Sequence, residues 1–171
     1  MQTATARFAM LQSVPSARFH PISDPFDAGL TDDLVTLFSH EWWSKDRERA
    51  DVERIVAGSQ VCVGAVDTAS GNLASFARVI TDYVTFAVIL DVIVRGDLRG
   101  HGLGARLMDD IFRHPRLQDL RGIGLQCEES MKGFYERWGF SDQPGRSVQM
   151  KRVFDRDHGE LPENVALTGA H

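Results

Sequence analysis

Arg99 and the glycines after it, Gly100, Gly102 and Gly104, have the types and spacing best suited to chemistry. Glycine lets the backbone turn tightly and leaves no side chain in the way of an approaching ligand. Before them, Leu90, Val92, Ile93 and Val94 form a β-branched run of strand length. After them, Leu103, Leu107, Met108, Ile111 and Phe112 recur at the spacing of one helical face. A strand, a glycine turn and a helix N-terminus in that order make an anion site. Unbonded N–H groups point outward, the helix dipole favours negative charge, and Arg99 adds a fixed cation. A plain connecting loop is the competing reading, and the order of the parts favours a phosphate cradle. Asp91 interrupts the apolar strand, and a carboxylate there is costly to bury unless it is paired or used. A salt bridge to Arg78 and a functional carboxylate are the two readings.

The elements that must hold these residues follow from periodicity and turn chemistry. A strand over 17–22 ends at Ser23-Asp24-Pro25. Thr31 reads as the N-cap of a helix reaching about His40, with Asp32 and Asp33 in its first turn. A second helix runs from about Asp46 to Ala57 and stops at Gly58. Strands over 60–66, 73–81 and 85–95 have short connections and read as an antiparallel meander. The glycine-turn helix ends near His114-Pro115. A strand over 121–127, a short helix over 130–138 closed by Gly139 and a strand over 147–154 complete a β-α-α-β-β-β-α-β-α-β order. This is a mixed α/β sheet with helices on its faces. Residues 1–16 read as a loose arm or edge strand, 17–154 as the domain, and 155–171 as a poorly ordered tail.

Composition narrows the class. The 171 residues suit one domain, with 43% hydrophobic and 25% charged residues. A net charge of −5 without an extended basic face argues against nucleic-acid binding. No apolar run reaches membrane-spanning length, no histidine or cysteine spacing matches a metal site, and the N-terminus lacks a secretory apolar region. Cys62 and Cys127 lie in apolar strand-like runs and are expected as buried thiols in a reducing compartment, the cytoplasm. Gly100-x-Gly102-x-x-Ala105 also fits a relaxed dinucleotide fingerprint, but the preceding meander is not a βαβ unit and too little chain follows for a second half.

The order of elements, Val94-x-x-x-x-Arg99-Gly-His-Gly-Leu-Gly and the later Phe134-Tyr-Glu-Arg-Trp-Gly-Phe140 resemble the GNAT superfamily of acyl-CoA-dependent N-acyltransferases. The resemblance covers residues 17–154. Trp42-Trp43-Ser44-Lys45 with Phe76-Ala77-Arg78-Val79 and Thr81-Asp82 is similar to an uncharacterised bacterial branch of that superfamily. Two departures stand out. Glu128-Glu129-Ser130-Met131 is acidic and carries Met where Ala is common, and Lys132 stands where the branch has His.

The resemblance implies a mostly antiparallel GNAT-like sheet and direct acetyl transfer from acetyl-CoA to an amine in a ternary complex, without a metal. It implies donor binding by Arg99, Gly100, His101, Gly102, Leu103, Gly104 and Ala105, with backbone groups of a splayed Val92, Ile93 and Val94 for the pantetheine amides. His101 itself reads as a solvent-facing loop residue. Tyr135 takes the position of the family's general acid, and its phenol, titrating near 10, is protonated at neutral pH. Packing of the helix by Tyr135 between Phe134 and Trp138 competes. Asp91 is the base candidate, directly or through water. Trp42 and Trp43 fall where the family places its acceptor wall. An acidic pocket of Asp91, Asp82 and Glu128 is expected to receive a small cationic amine, although aspartate in a turn usually stabilises the turn. A homodimer is left open, and a CoA-binding module without catalysis is the rival.

Overall fold

A computed structural model describes residues 18–22 and 26–142, and within them the element order follows the sequence reading closely. The elements are β1 (Phe19–Ile22), α1 (Thr31–Ser39), α2 (Arg49–Ala57), β2 (Val61–Asp67), β3 (Leu73–Thr81), β4 (Phe86–Val94), α3 (Leu103–Arg113), β5 (Gly122–Leu125) and α4 (Lys132–Tyr135). The arm 1–16, the strand 147–154 and the tail 155–171 lie outside the described residues.

The five strands are ordered β1-β2-β3-β4-β5. All neighbours are antiparallel except β4 and β5, which run parallel because α3 carries the chain across between them. Side chains alternate between faces. Val61, Val63, Ala77, Val79, Ala87 and Ile89 meet Leu107, Met108 and Ile111 of α3 together with Tyr135 of α4. Cys62, Leu73, Phe76 and Ile93 meet Leu34, Leu37 and Phe38 of α1 and Val52 of α2. The sheet is therefore covered on both faces.

Helix starts differ from the sequence expectation. Thr31 lies inside α1 and does not cap it. A 3-10 turn over Ala28–Leu30 precedes the helix, and Asp27 caps that turn by accepting the Gly29 amide at 2.8 Å. α2 starts at Arg49, behind a reciprocal capping box of Glu48 and Asp51. The expected short helix over 130–138 is a single α-turn between two 3-10 turns, Glu129–Met131 and Glu136–Trp138, and Gly139 closes it at φ +80.

A β-bulge shapes the end of β4. Phe76 pairs with Ile93 and Arg78 with Leu90, so three steps along β4 oppose two along β3. Asp91 absorbs the extra residue at φ +54, a conformation that aspartate tolerates better than most residues. The bulge reverses the alternation: Ala87 and Ile89 face α3 before it, while Val92 and Val94 do so after it. β5 pairs with β4 only from Phe86 to Ile89. Among the described residues, no strand pairs with the edge of β4 that faces β5 from Leu90 to Val94.

Asp67, fully buried at the end of β2, fixes the approach to the glycine turn. It accepts Arg18 Nε at 2.6 Å and Nη2 at 2.7 Å, and Arg95 Nη2 at 2.9 Å. Arg95 also donates to Asp97 at 2.7 Å. The chain leaving β4 is thus tied to β1 and β2 just before the turn begins.

Candidate active site

The glycine turn is built as an anion cradle requires. After a 3-10 turn over Gly96–Leu98, Arg99 is extended, Gly100 lies at φ +80, and Gly102 is the N-cap of α3 at φ +84. The helical ladder begins with Arg106 N donating to Gly102 O at 3.0 Å, so the amides of Leu103, Gly104 and Ala105 precede it. A Cβ at Gly104 would come 3.3 Å from Phe134. Glycine there lets α4 sit close against the first turn of α3. His101 is half-buried, with Nδ1 3.3 Å from Leu98 O within the turn.

Arg99 Nε donates to Val94 O at 3.1 Å, and its Nη2 pairs with Glu41 beyond the end of α1. The guanidinium therefore spans from the glycine turn to the α1–α2 connection. Glu41 and Arg99 both border a cavity of about 530 Å³ whose walls include Asp33 and Leu37 of α1 and Ile93 and Val94 of β4.

Asp91 realises the ion-pair reading. Its nearly buried carboxylate accepts Arg78 Nε at 2.5 Å and Arg47 Nη2 at 3.1 Å. Both oxygens are engaged, one by each arginine. Arg47 lies 4.5 Å from the Phe38 ring centroid and 5.5 Å from that of Trp43. Trp43 in turn meets Phe38 edge to face at 6.3 Å. The α1–α2 connection is thereby anchored over the bulge.

Trp42 is 70% exposed, and its indole N–H donates to Glu128 at 2.8 Å. Two residues expected to meet the acceptor, Trp42 of the wall and Glu128 of the acidic pocket, are brought together. Asp82 is not among them. It sits at the tip of the β3–β4 hairpin and accepts the amides of Val84, Thr85 and Phe86. Those bonds, Thr85 first, hold its carboxyl down at about 2. Four residues of strand, about 13 Å, separate it from Arg78, the partner of Asp91. The expected pocket of Asp91, Asp82 and Glu128 is not assembled.

Tyr135 is 8% exposed, with its ring edge-on to Phe134 at 4.9 Å and to Phe140 at 6.1 Å. Burial, reinforced by Cys127, pushes its phenol up to about 12. The group is a proton holder at neutral pH. Among the described residues its hydroxyl has no hydrogen-bond partner, so it is available to a ligand atom. Cys62 is buried as expected, but Cys127 is exposed beyond the end of β5. No group of three metal-ligating side chains occurs among the described residues, and none of their helices is long and apolar enough to cross a membrane.

Sequence reasoning missed Glu41 and Arg47. Glu41 lies just past the expected helix end near His40, and its partner lies 58 positions away. Arg47 follows two tryptophans, a neighbourhood that favours a stacked guanidinium, and that signal was available.

Residues 27–140 match the acetyltransferase (GNAT) family. Among curated relatives, the chain is 36% identical over 72 residues to an uncharacterised N-acetyltransferase of Gracilaria tenuistipitata var. liui. It is 34% identical over 101 residues to serotonin N-acetyltransferase 2, chloroplastic, of Oryza sativa subsp. japonica. These matches span 40% and 50% of the relatives' own lengths. The fold superimposes on a protein of Xanthomonas campestris pv. campestris assigned to the GNAT family, with a TM-score of 0.65 and 36% identity over 78% of this chain and 94% of that one.

Proposed function

The chain belongs to the GNAT acetyltransferase family, and on that premise we propose that it moves an acetyl group from acetyl-CoA to a primary amine of a small molecule. The observation that carries this reading is the glycine turn beside the edge of β4 past its last β5 pair. The amides of Leu103, Gly104 and Ala105 precede the helical ladder, and the Leu90–Val94 edge lies past the last β4–β5 pair. Among the described residues, a Cβ at Gly100 or Gly102 would meet nothing within 4 Å. A pyrophosphate suits the amides and Arg99, and pantetheine amides suit backbone groups of Val92, Ile93 and Val94 on the stretch past the last β4–β5 pair.

The chemistry divides among these parts. Holding donor and amine together makes the attack effectively unimolecular. The amine nitrogen bonds to the thioester carbonyl carbon, the amine proton passes to water entering beside that edge, and the C–S bond breaks. The leaving thiolate takes the Tyr135 proton, which burial keeps in place at neutral pH. Asp91 acts through Arg47 and Arg78, as a positioning residue that holds the bulge and the α1–α2 connection. Trp42, Trp43 and Glu128 form the acceptor wall. A relative named for serotonin supports a small amine, and an exposed Cys127 suits a reducing compartment such as the cytoplasm.

The test is thiol release from acetyl-CoA across a panel of small primary amines. Amine-dependent release supports the reading. CoA binding with no turnover on any amine would identify a binding module instead.

A further inference from the structure

Phe134 ties a second cation to the glycine turn. The guanidinium carbon of Arg137 lies 4.6 Å from the centre of the Phe134 ring and 4.7 Å from that of Trp138. Its Nε donates to Phe134 O at 3.1 Å. The Phe134 ring also reaches the turn, since a Cβ at Gly104 would stand 3.3 Å from its Cζ. One aromatic ring therefore separates the guanidinium from the first turn of α3.

Stacking engages the flat face of a guanidinium and leaves its donors at the rim. With Nε on the backbone, the two terminal nitrogens of Arg137 remain available, and the residue is exposed. Among the described residues Arg137 pairs with no carboxylate, whereas Arg99 is held by Glu41. The acid beside Trp138 is already taken: Asp109 accepts the indole N–H at 3.0 Å and pairs with Arg113. A guanidinium held in place before its ligand arrives loses little rotamer freedom on binding. An oriented cation without a counter-charge, set beside an anion cradle, calls for a second anionic group on the same ligand.

CoA carries such a group. With its pyrophosphate on the amides of Leu103–Ala105, the attached ribose and its 3′-phosphate lie beside the turn. We infer that Arg137 is a donor-specificity residue: it binds the 3′-phosphate of CoA and so selects CoA over donors that lack this phosphate. This inference rests on the proposed donor site.

Titration calorimetry with CoA and 3′-dephospho-CoA tests it, on the wild type, Arg137→Gln and Arg137→Lys, with folding checked by thermal melting. The wild type should bind CoA about tenfold more tightly than dephospho-CoA, the lower end for a hydrogen bond between charged groups. Added salt screens an exposed pair and should narrow that preference without any substitution. Arg137→Gln should bring CoA down to the affinity of dephospho-CoA and leave the latter unchanged. Arg137→Lys keeps the charge without the fork and should keep part of the preference. A purely structural role for Arg137 would weaken both ligands together in Arg137→Gln and preserve their ratio, which overturns the inference. Equal binding of the two ligands by the wild type overturns it as well and leaves the donor site standing. A wild type that binds neither ligand overturns the donor site and this inference together.

Discussion

Trp42 and Glu128, 86 positions apart, are joined by one hydrogen bond of 2.8 Å from the indole N–H to the carboxylate. The contact links the α1–α2 connection to the segment leaving β5, across the side where β4 and β5 part. Both residues are exposed, so the bond adds little to stability. Its weight falls on the acceptor wall. Trp42→Phe should raise the acceptor KM several-fold while leaving CoA affinity and the thermal midpoint unchanged, as steady-state kinetics, calorimetry and melting would show. A changed CoA affinity would place Trp42 in the donor site instead.

Tyr135→Phe removes a hydroxyl that has no hydrogen-bond partner among the described residues, so the fold should tolerate it. Turnover should fall by about a hundredfold, the lower range for a lost general acid, with CoA affinity preserved. Since the phenol is pushed up to about 12, it stays protonated through the neutral range. Its share of stability is complete below about pH 10 and is lost as pH rises through the folded value. A pH–rate profile should show no loss of activity from this group below pH 10.

Gly102→Ala tests the cradle. The position requires φ +84 at the start of α3, which costs an L-residue about 1 kcal/mol. A lower denaturant midpoint with unchanged slope should accompany weaker CoA binding. Normal affinity in the variant would show that the turn need not hold this shape.

Arg99 through Gly104 announced itself because a strand, a turn and a helix lie consecutively, each with its own period. Residues 60–66 likewise read as a strand, as an apolar run of strand length before the turn with Ser70-Gly71. The bulge at Asp91 did not, because a single inserted residue leaves the apolar run looking continuous. It matters most, since it turns Asp91 toward Arg78 and Arg47 and reverses the facing of Val92 and Val94. Thr31 looked like a cap because the 3-10 turn at Asp27 is too short to leave a periodic trace. The pairs Arg99–Glu41 and Trp42–Glu128 join distant segments, and no local spacing encodes them.

Asp67 sets the acid limit of the fold. Hydrogen bonds from Arg18 first, then from Arg95, hold its buried carboxyl well below the usual carboxylate range. A depressed folded value stabilises the native state above the unfolded value, about pH 4, and that contribution is lost as pH falls further. Asp67→Ala should cost about 2 kcal/mol at neutral pH, because it takes the carboxylate from Arg18 and leaves Arg95 with Asp97 alone, and it should flatten the acid limb of the stability profile. Chemical denaturation from neutral pH down to about pH 3 checks both.

Acetyl transfer itself is the central claim, and the product mixture tests it most directly. Mass spectrometry of the protein with acetyl-CoA and a panel of small primary amines should find N-acetylated amine and CoA in equal amounts. CoA formed without acetylated amine, or acetyl-CoA left intact beside every amine, would contradict the account.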